Sequence, residues 1–302
     1  MSEQFEAPGA LPGMTPCHWG SVNQWECDEN DHLNVRYYAC KINEAVQILL
    51  SRQFGIDAET LPGRIRGQHI RFLNEARAAT PLRVDCAVAH QDESRLSVVS
   101  LMHENVSGRP LAGFVSDIDV SGLGLAAAGV TLPDVPEPAR PRGIDPAALP
   151  AAPQTWDEAR DAGYRIVGRG VIARAECDDD GQMLPYAYVG RISDGMPNLW
   201  GYLNPPQTQS AQSTGELGGA ALEQRLDIIA PLRRGAVYSQ LSGVRALGNK
   251  TQQMAHLIFD ESRQRVAATM EAVGLAMDLE TRRAVPISAE RRQHLEGLLL
   301  RG

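Results

Sequence analysis

Residues 26–38 read ECDENDHLNVRYY, and residues 176–188 read ECDDDGQMLPYAY. Glu-Cys-Asp opens both stretches, and Tyr38 and Tyr188 close them, 150 residues apart. Between these ends the polar residues diverge: Asn30 and His32 are replaced by Asp180 and Gln182. An internal repeat with one chemically rich copy and one altered copy divides the chain and nominates a site at the same time.

Beyond the helix that should follow each motif, the repeat continues at a spacing of 155. Glu75–Leu82 (EARAATPL) then falls opposite Ala230–Val237 (APLRRGAV), and the turn at Ser94-Arg95-Leu96 opposite Asn249-Lys250-Thr251. Val106–Ala112 falls opposite Glu261–Ala267, each leading into an apolar strand. The expected organisation is an N-terminal arm over residues 1–16, a first module over 17–122, a Pro/Ala-rich linker over 123–160 and a second, altered module over 161–302.

The 302 residues, 43% hydrophobic and 22% charged, suffice for two globular modules with separate cores. A formal charge of −8 argues against non-specific nucleic-acid binding, which needs a basic face. Five cysteines at irregular spacing (Cys17, Cys27, Cys40, Cys86, Cys177) contain no C-x-x-C pair, so free thiols and no metal site are expected. The acidic, Pro- and Gly-broken start does not read as a signal peptide, and no run approaches the ~18 apolar residues of a membrane span. A cytoplasmic protein is the expectation.

Asn34 is a helix N-cap type, and Tyr38, Ile42, Ala45, Ile48 and Leu49 recur at helical steps up to Gly55. Strand-like runs follow at His69–Leu73, Leu82–His90, Leu96–Glu104 and Leu111–Val120. The second copy repeats the order, with a helix over Tyr186–Leu203 and strands from Leu222 to Met277. One long helix followed by an antiparallel meander is an α+β pattern.

The stretch Asp28-Glu29-Asn30-Asp31-His32-Leu33-Asn34-Val35-Arg36-Tyr37-Tyr38 resembles the D-x-N-x-H-(apolar)-N-x-x-Y-Y signature of hotdog-fold thioesterases. It looks like the branch with 4-hydroxybenzoyl-CoA-type and acyl-acyl-carrier-protein (acyl-ACP) thioesterases. FLNEARAATPLRV (Phe72–Val84) looks like the strand after the helix in that family, and Thr281–Leu295 like its closing segment. The resemblance implies two tandem hotdog modules, each a long helix wrapped by an antiparallel β-sheet, with a single site near Asp28 at the interface of the modules. It implies hydrolysis of an acyl-CoA or acyl-ACP, whose CoA or phosphopantetheine arm belongs to the substrate, without metal or other cofactor. The fused pair could remain a monomer, as a pseudo-dimer, or form a homodimer.

In that reading Asp28 is the base or nucleophile, and Asn30 and His32 orient the reacting groups. Asn34 caps the helix, and the backbone N–H groups of Val35 and Arg36 receive the oxyanion. Tyr37, Glu44 and Glu75 are further candidates, Glu75 as an additional polar residue on the strand after the helix. Because CoA and phosphopantetheine are anionic, Arg64, Arg66, Arg71 and Arg77 are candidate rim contacts. Two alternatives stand beside it: a hotdog hydratase or dehydratase of enoyl or 3-hydroxyacyl thioesters, relatives that also use an Asp–His pair but at a different spacing, and a non-catalytic acyl-thioester binding protein, which a degenerate second copy would fit.

Overall fold

The computed structural model describes residues 11–57, 62–129, 131–204 and 217–301. The chain forms two compact units, Met1–Pro141 and Arg142–Gly302. Residues 1–10 of the expected N-terminal arm lie outside the described residues, and strand β1 already begins at Thr15.

The first unit contains β1 (Thr15–Ser21), α1 (Val35–Phe54), β2 (Ile65–Phe72), β3 (Pro81–Gln91), β4 (Arg95–Glu104) and β5 (Pro110–Asp119). Its strands lie in the order β1-β3-β4-β5-β2, all antiparallel. Helix α1 runs as the sequence predicts. Asn34 in extended conformation begins it, and Gly55 in the left-handed region (φ 65°) ends it with its N–H on Ser51 O. Alternation along β3 sends Leu82, Val84, Cys86 and Val88 into the core shared with Ile42, Val46 and Leu50 of α1.

The second unit contains α2 (Trp156–Asp161), β6 (Arg165–Val171), α3 (Pro185–Leu203), β7 (Leu217–Ile228), β8 (Val237–Leu247), β9 (Thr251–Asp260), β10 (Arg265–Asp278), the short β11 (Arg283–Ala284) and α4 (Ala289–Glu296). Strand order β6-β8-β9-β10-β7 repeats that of the first unit. These are the two tandem hotdog modules that the motif implied.

Three details differ from the sequence reading. Strand β2 ends at Phe72, so Leu73–Thr80 is a loop and Glu75 is not on a strand. The stretch read as a linker is partly structured. Ala139 is buried with Val99 and Leu101, and Leu132 N–H bonds Val88 O at 2.8 Å, both in the first unit. The spacing of the later repeat is 156 rather than 155. Leu73 and Asn74 donate to Leu111 O as Ile229 and Ala230 donate to Ala267 O, which pairs Leu73 with Ile229. A one-residue slip reverses which side chains face inward, and short turn matches do not fix the pleat.

Corrected for that slip, the positions of Leu82, Val84 and Cys86 are taken by Tyr238, Gln240 and Ser242, facing α3. The second interior is therefore polar where the first is apolar. Gln240 Nε2 bonds Ile192 O of α3 at 3.2 Å, and Ser242 Oγ lies 2.8 Å from His256 Nδ1. Gly195 leaves that amide its room, because a Cβ there would push the Gln240 side-chain amide aside.

Candidate active site

The motif is a short loop closed on itself before α1. Asp28 N–H bonds His32 O at 2.8 Å, and Cys27 bridges Leu33. Asp28 Oδ1 accepts the backbone N–H groups of Asn30 (2.9 Å) and His32 (3.4 Å). Asp31 sits in the left-handed region at φ 61°, a conformation that costs a non-glycine residue about 1–2 kcal/mol. Beneath the loop, Lys41 Nζ pairs with buried Glu26 Oε1 at 2.9 Å and anchors it to the second turn of α1.

A second loop, Leu73–Thr80, meets the first through one backbone bond, Leu33 N–H to Ala76 O at 2.7 Å. Tyr38 supports it, its hydroxyl donating to Asn74 O at 3.3 Å and its ring edge-on to Phe72. Burial pushes the Tyr38 hydroxyl well above the usual tyrosine range, so it stays a donor. Arg109 Nη2 donates to Glu75 O at 3.2 Å. This docking brings Glu75 Oε1 within 3.3 Å of His32 Nε2, while Asp28 Oδ1 lies 3.9 Å from His32 Nδ1. The imidazole thus stands between two carboxylates. It is largely buried, with Glu75 the most open of the three side chains at 34% exposure.

Asn30 is buried, and among the described residues no hydrogen bond is recorded for its side-chain amide. Asn34 Oδ1 caps the helix by accepting Arg36 N–H at 2.9 Å. That bond corrects one expectation: the Arg36 N–H is already engaged. Val35, the first helical residue, keeps an amide with no acceptor inside the helix. Tyr37 is half-buried against the α1 core, with the Arg36 guanidinium 6.0 Å from its ring centre.

Several candidates lie elsewhere. Glu44 Oε2 pairs with His18 Nδ1 at 3.4 Å, ten residues and about 15 Å of helix beyond Asn34. His18, which sequence reading did not single out, is held below the usual imidazole range by burial. Arg64 donates to Asp119 O and Ser121 O, and Arg66 donates to Gly63 O, at the far end of β2, about 25 Å of strand from Phe72. Arg71 is buried, its Nη1 bonding Glu137 O, Glu137 Oε1 and Arg140 O. Of the four candidate arginines only Arg77 stands at the site, with Nη2 4.0 Å from Glu75 Oε2. No cluster of His, Cys, Asp and Glu able to hold a metal occurs among the described residues. No described helix is long and apolar enough to cross a membrane.

The second unit keeps the frame and changes the groups upon it. Asp178 Oδ1 accepts Gln182 N–H at 2.7 Å, Arg191 pairs with Glu176 at 2.6 Å, and Met183 N–H bonds Leu232 O at 2.8 Å. The position of His32 is Gln182, and that of Glu75, at the spacing of 156, is Pro231.

Residues 22–125, which hold this loop pair, match the family model described as the thioesterase-like superfamily. The fold is similar to that of solved acyl-ACP thioesterases. An acyl-ACP thioesterase from Bacteroides thetaiotaomicron superposes with a TM-score of 0.56 at 11% identity, over 87% of this chain and 98% of the other. A 12:0-ACP thioesterase from Umbellularia californica superposes with a TM-score of 0.59 at 13% identity, over 87% and 94%. No curated protein matches the chain by sequence.

Proposed function

We propose that this protein hydrolyses an acyl thioester of CoA or of an acyl-carrier protein, at a site centred on His32. The observation that carries this reading is the His32 imidazole held 3.3 Å from Glu75 and flanked by Asp28, in the loop that leads into α1. The family match over residues 22–125 supports it.

In this reading Glu75, the more open carboxylate, accepts a proton from water as the water oxygen attacks the thioester carbonyl. Val35 N–H and the Asn30 amide face the developing oxyanion. Collapse of the tetrahedral intermediate breaks the C–S bond. The proton passes to the departing sulfur, with His32 as the carrier next to Glu75, and an acid and a thiol are released. Asp28 is the positioning residue, because the loop amides engage its Oδ1 just as Gln182 N–H engages Asp178. The reaction needs no metal or redox group; CoA or phosphopantetheine enters with the substrate.

Thiol release from a panel of acyl-CoA and acyl-ACP substrates tests the reading. Glu75→Gln and His32→Ala should each lower kcat by about 10²–10⁴-fold, with Asp28→Asn falling less. Full activity in Glu75→Gln with loss in Asp28→Asn would move the attacking group to Asp28. No thiol release from any substrate would overturn the hydrolase reading.

A further inference from the structure

Within the second unit, a cleft of about 350 Å³ opens between the end of α3, strand β8 and the C-terminal tail. Leu199, Leu203, Val244 and Leu298 give it apolar walls, and the buried Ser242, fixed by His256, gives it a polar floor. Arg165 and Arg301 also line it. Both arginines sit on fixed backbone. Arg165 is paired with Ser242 in the sheet, and the tail is held by Leu300 N–H on Val244 O and Arg301 N–H on Ala162 O.

Several arginines of this unit have acidic partners, among them Arg191 with Glu176, Arg225 with Asp227, Arg245 with Glu271 and Arg263 with Asp260. Arg165 and Arg301 have no ion-pair or side-chain hydrogen-bond partner among the described residues, in a chain of net charge −8. Two unpaired guanidinium groups beside an apolar wall are suited to one ligand chemistry, an anionic head on a short apolar tail. Guanidinium binds carboxylate and phosphate through paired, charge-assisted hydrogen bonds. The volume lies near the lower end of small-molecule sites, about 300–1,000 Å³, so the tail is short.

We propose that this cleft binds a short-chain anionic amphiphile, through Arg165 and Arg301 at the head and Leu199 and Leu203 along the tail. The site is separate from the loop pair of the first unit and independent of the thioesterase reading.

A diazirine-bearing octanoic acid, photolysed with the full-length protein and mapped by peptide mass spectrometry, tests it. Label should fall on peptides containing Tyr202-Leu203 or Leu298-Leu299. Octanoate or octyl phosphate should suppress it and octanol should not; whichever anion suppresses at lower concentration identifies the head group. The exposed double substitution R165A/R301A should reduce that label by about tenfold or more, the loss of one charge-assisted bond. Glu75→Gln should leave it unchanged. Equal labelling of R165A/R301A, equal competition by octanol, or label confined to peptides from residues 22–125 would overturn the proposal.

Discussion

Lys41 closes on Glu26 in the first unit, and Arg191 closes on Glu176 in the second. Asp28 braces one motif loop and Asp178 the other, and each loop docks on its neighbour through an equivalent amide, Leu33 on Ala76 O and Met183 on Leu232 O, to which the second unit adds Arg234 N–H on Gly181 O. What differs is the cargo. His32, Asn34 and Glu75 give way to Gln182, Leu184 and Pro231. The first helix is capped by a side chain, whereas the second starts on Pro185, which has no N–H to satisfy. Backbone hydrogen bonds and one buried ion pair thus hold the loop shape, and the groups suited to chemistry are a separate layer.

The comparison is put at most risk by activity. If the frame is neutral, His32→Ala and Glu75→Gln should abolish nearly all turnover, about 10²–10⁴-fold, while Gln182→Ala changes kcat by less than about twofold. A large loss from Gln182→Ala would show that the second loop takes part. The ion pairs come next. Lys41→Met leaves Glu26 buried without its cation and should cost about 3–5 kcal/mol in urea unfolding, and Arg191→Met, being more exposed, should cost less.

The polar interior of the second unit predicts acid sensitivity. Burial holds His256 down at about 4 against its ordinary 6.5. The unfolded chain therefore binds more protons than the folded one between those values, and stability rises with pH across that window. Falling from pH 6.5 to 4 should remove up to about 3 kcal/mol. Urea unfolding as a function of pH would read this, and His256→Gln should flatten the slope. Smallest is the left-handed turn, Asp31 at φ 61° where the second copy has Gly181 at φ 75°. Asp31→Gly should stabilise the first unit by about 0.5–1 kcal/mol. Destabilisation instead would mean that the Asp31 side chain holds the loop.

Much of this was legible in the chain. The α1 limits, the meander and the repeat follow from the cap at Asn34, the stop at Gly55 and the alternation along β3, because each is a local signal. Asp28 and His32 were visible as a motif. The approach of Glu75, a candidate by resemblance, to His32 was not, because it depends on a bond between loops forty-three residues apart, Leu33 to Ala76, made by backbone atoms that leave no mark on side-chain patterns. The burial of Arg71 was hidden for a related reason. Arg71 is buried by residues 137–140, a stretch whose Pro-rich composition reads as solvated linker. The slip from 156 to 155 hid the polar interior of the second unit by placing Gln240 and Ser242 on the wrong side of the sheet.

The amide of Met183 on Leu232 O has a practical meaning of its own. A loop pair that keeps its docking bond under different side chains is a socket, already shaped and already paired. Changing what it presents becomes a matter of side chains rather than of new backbone.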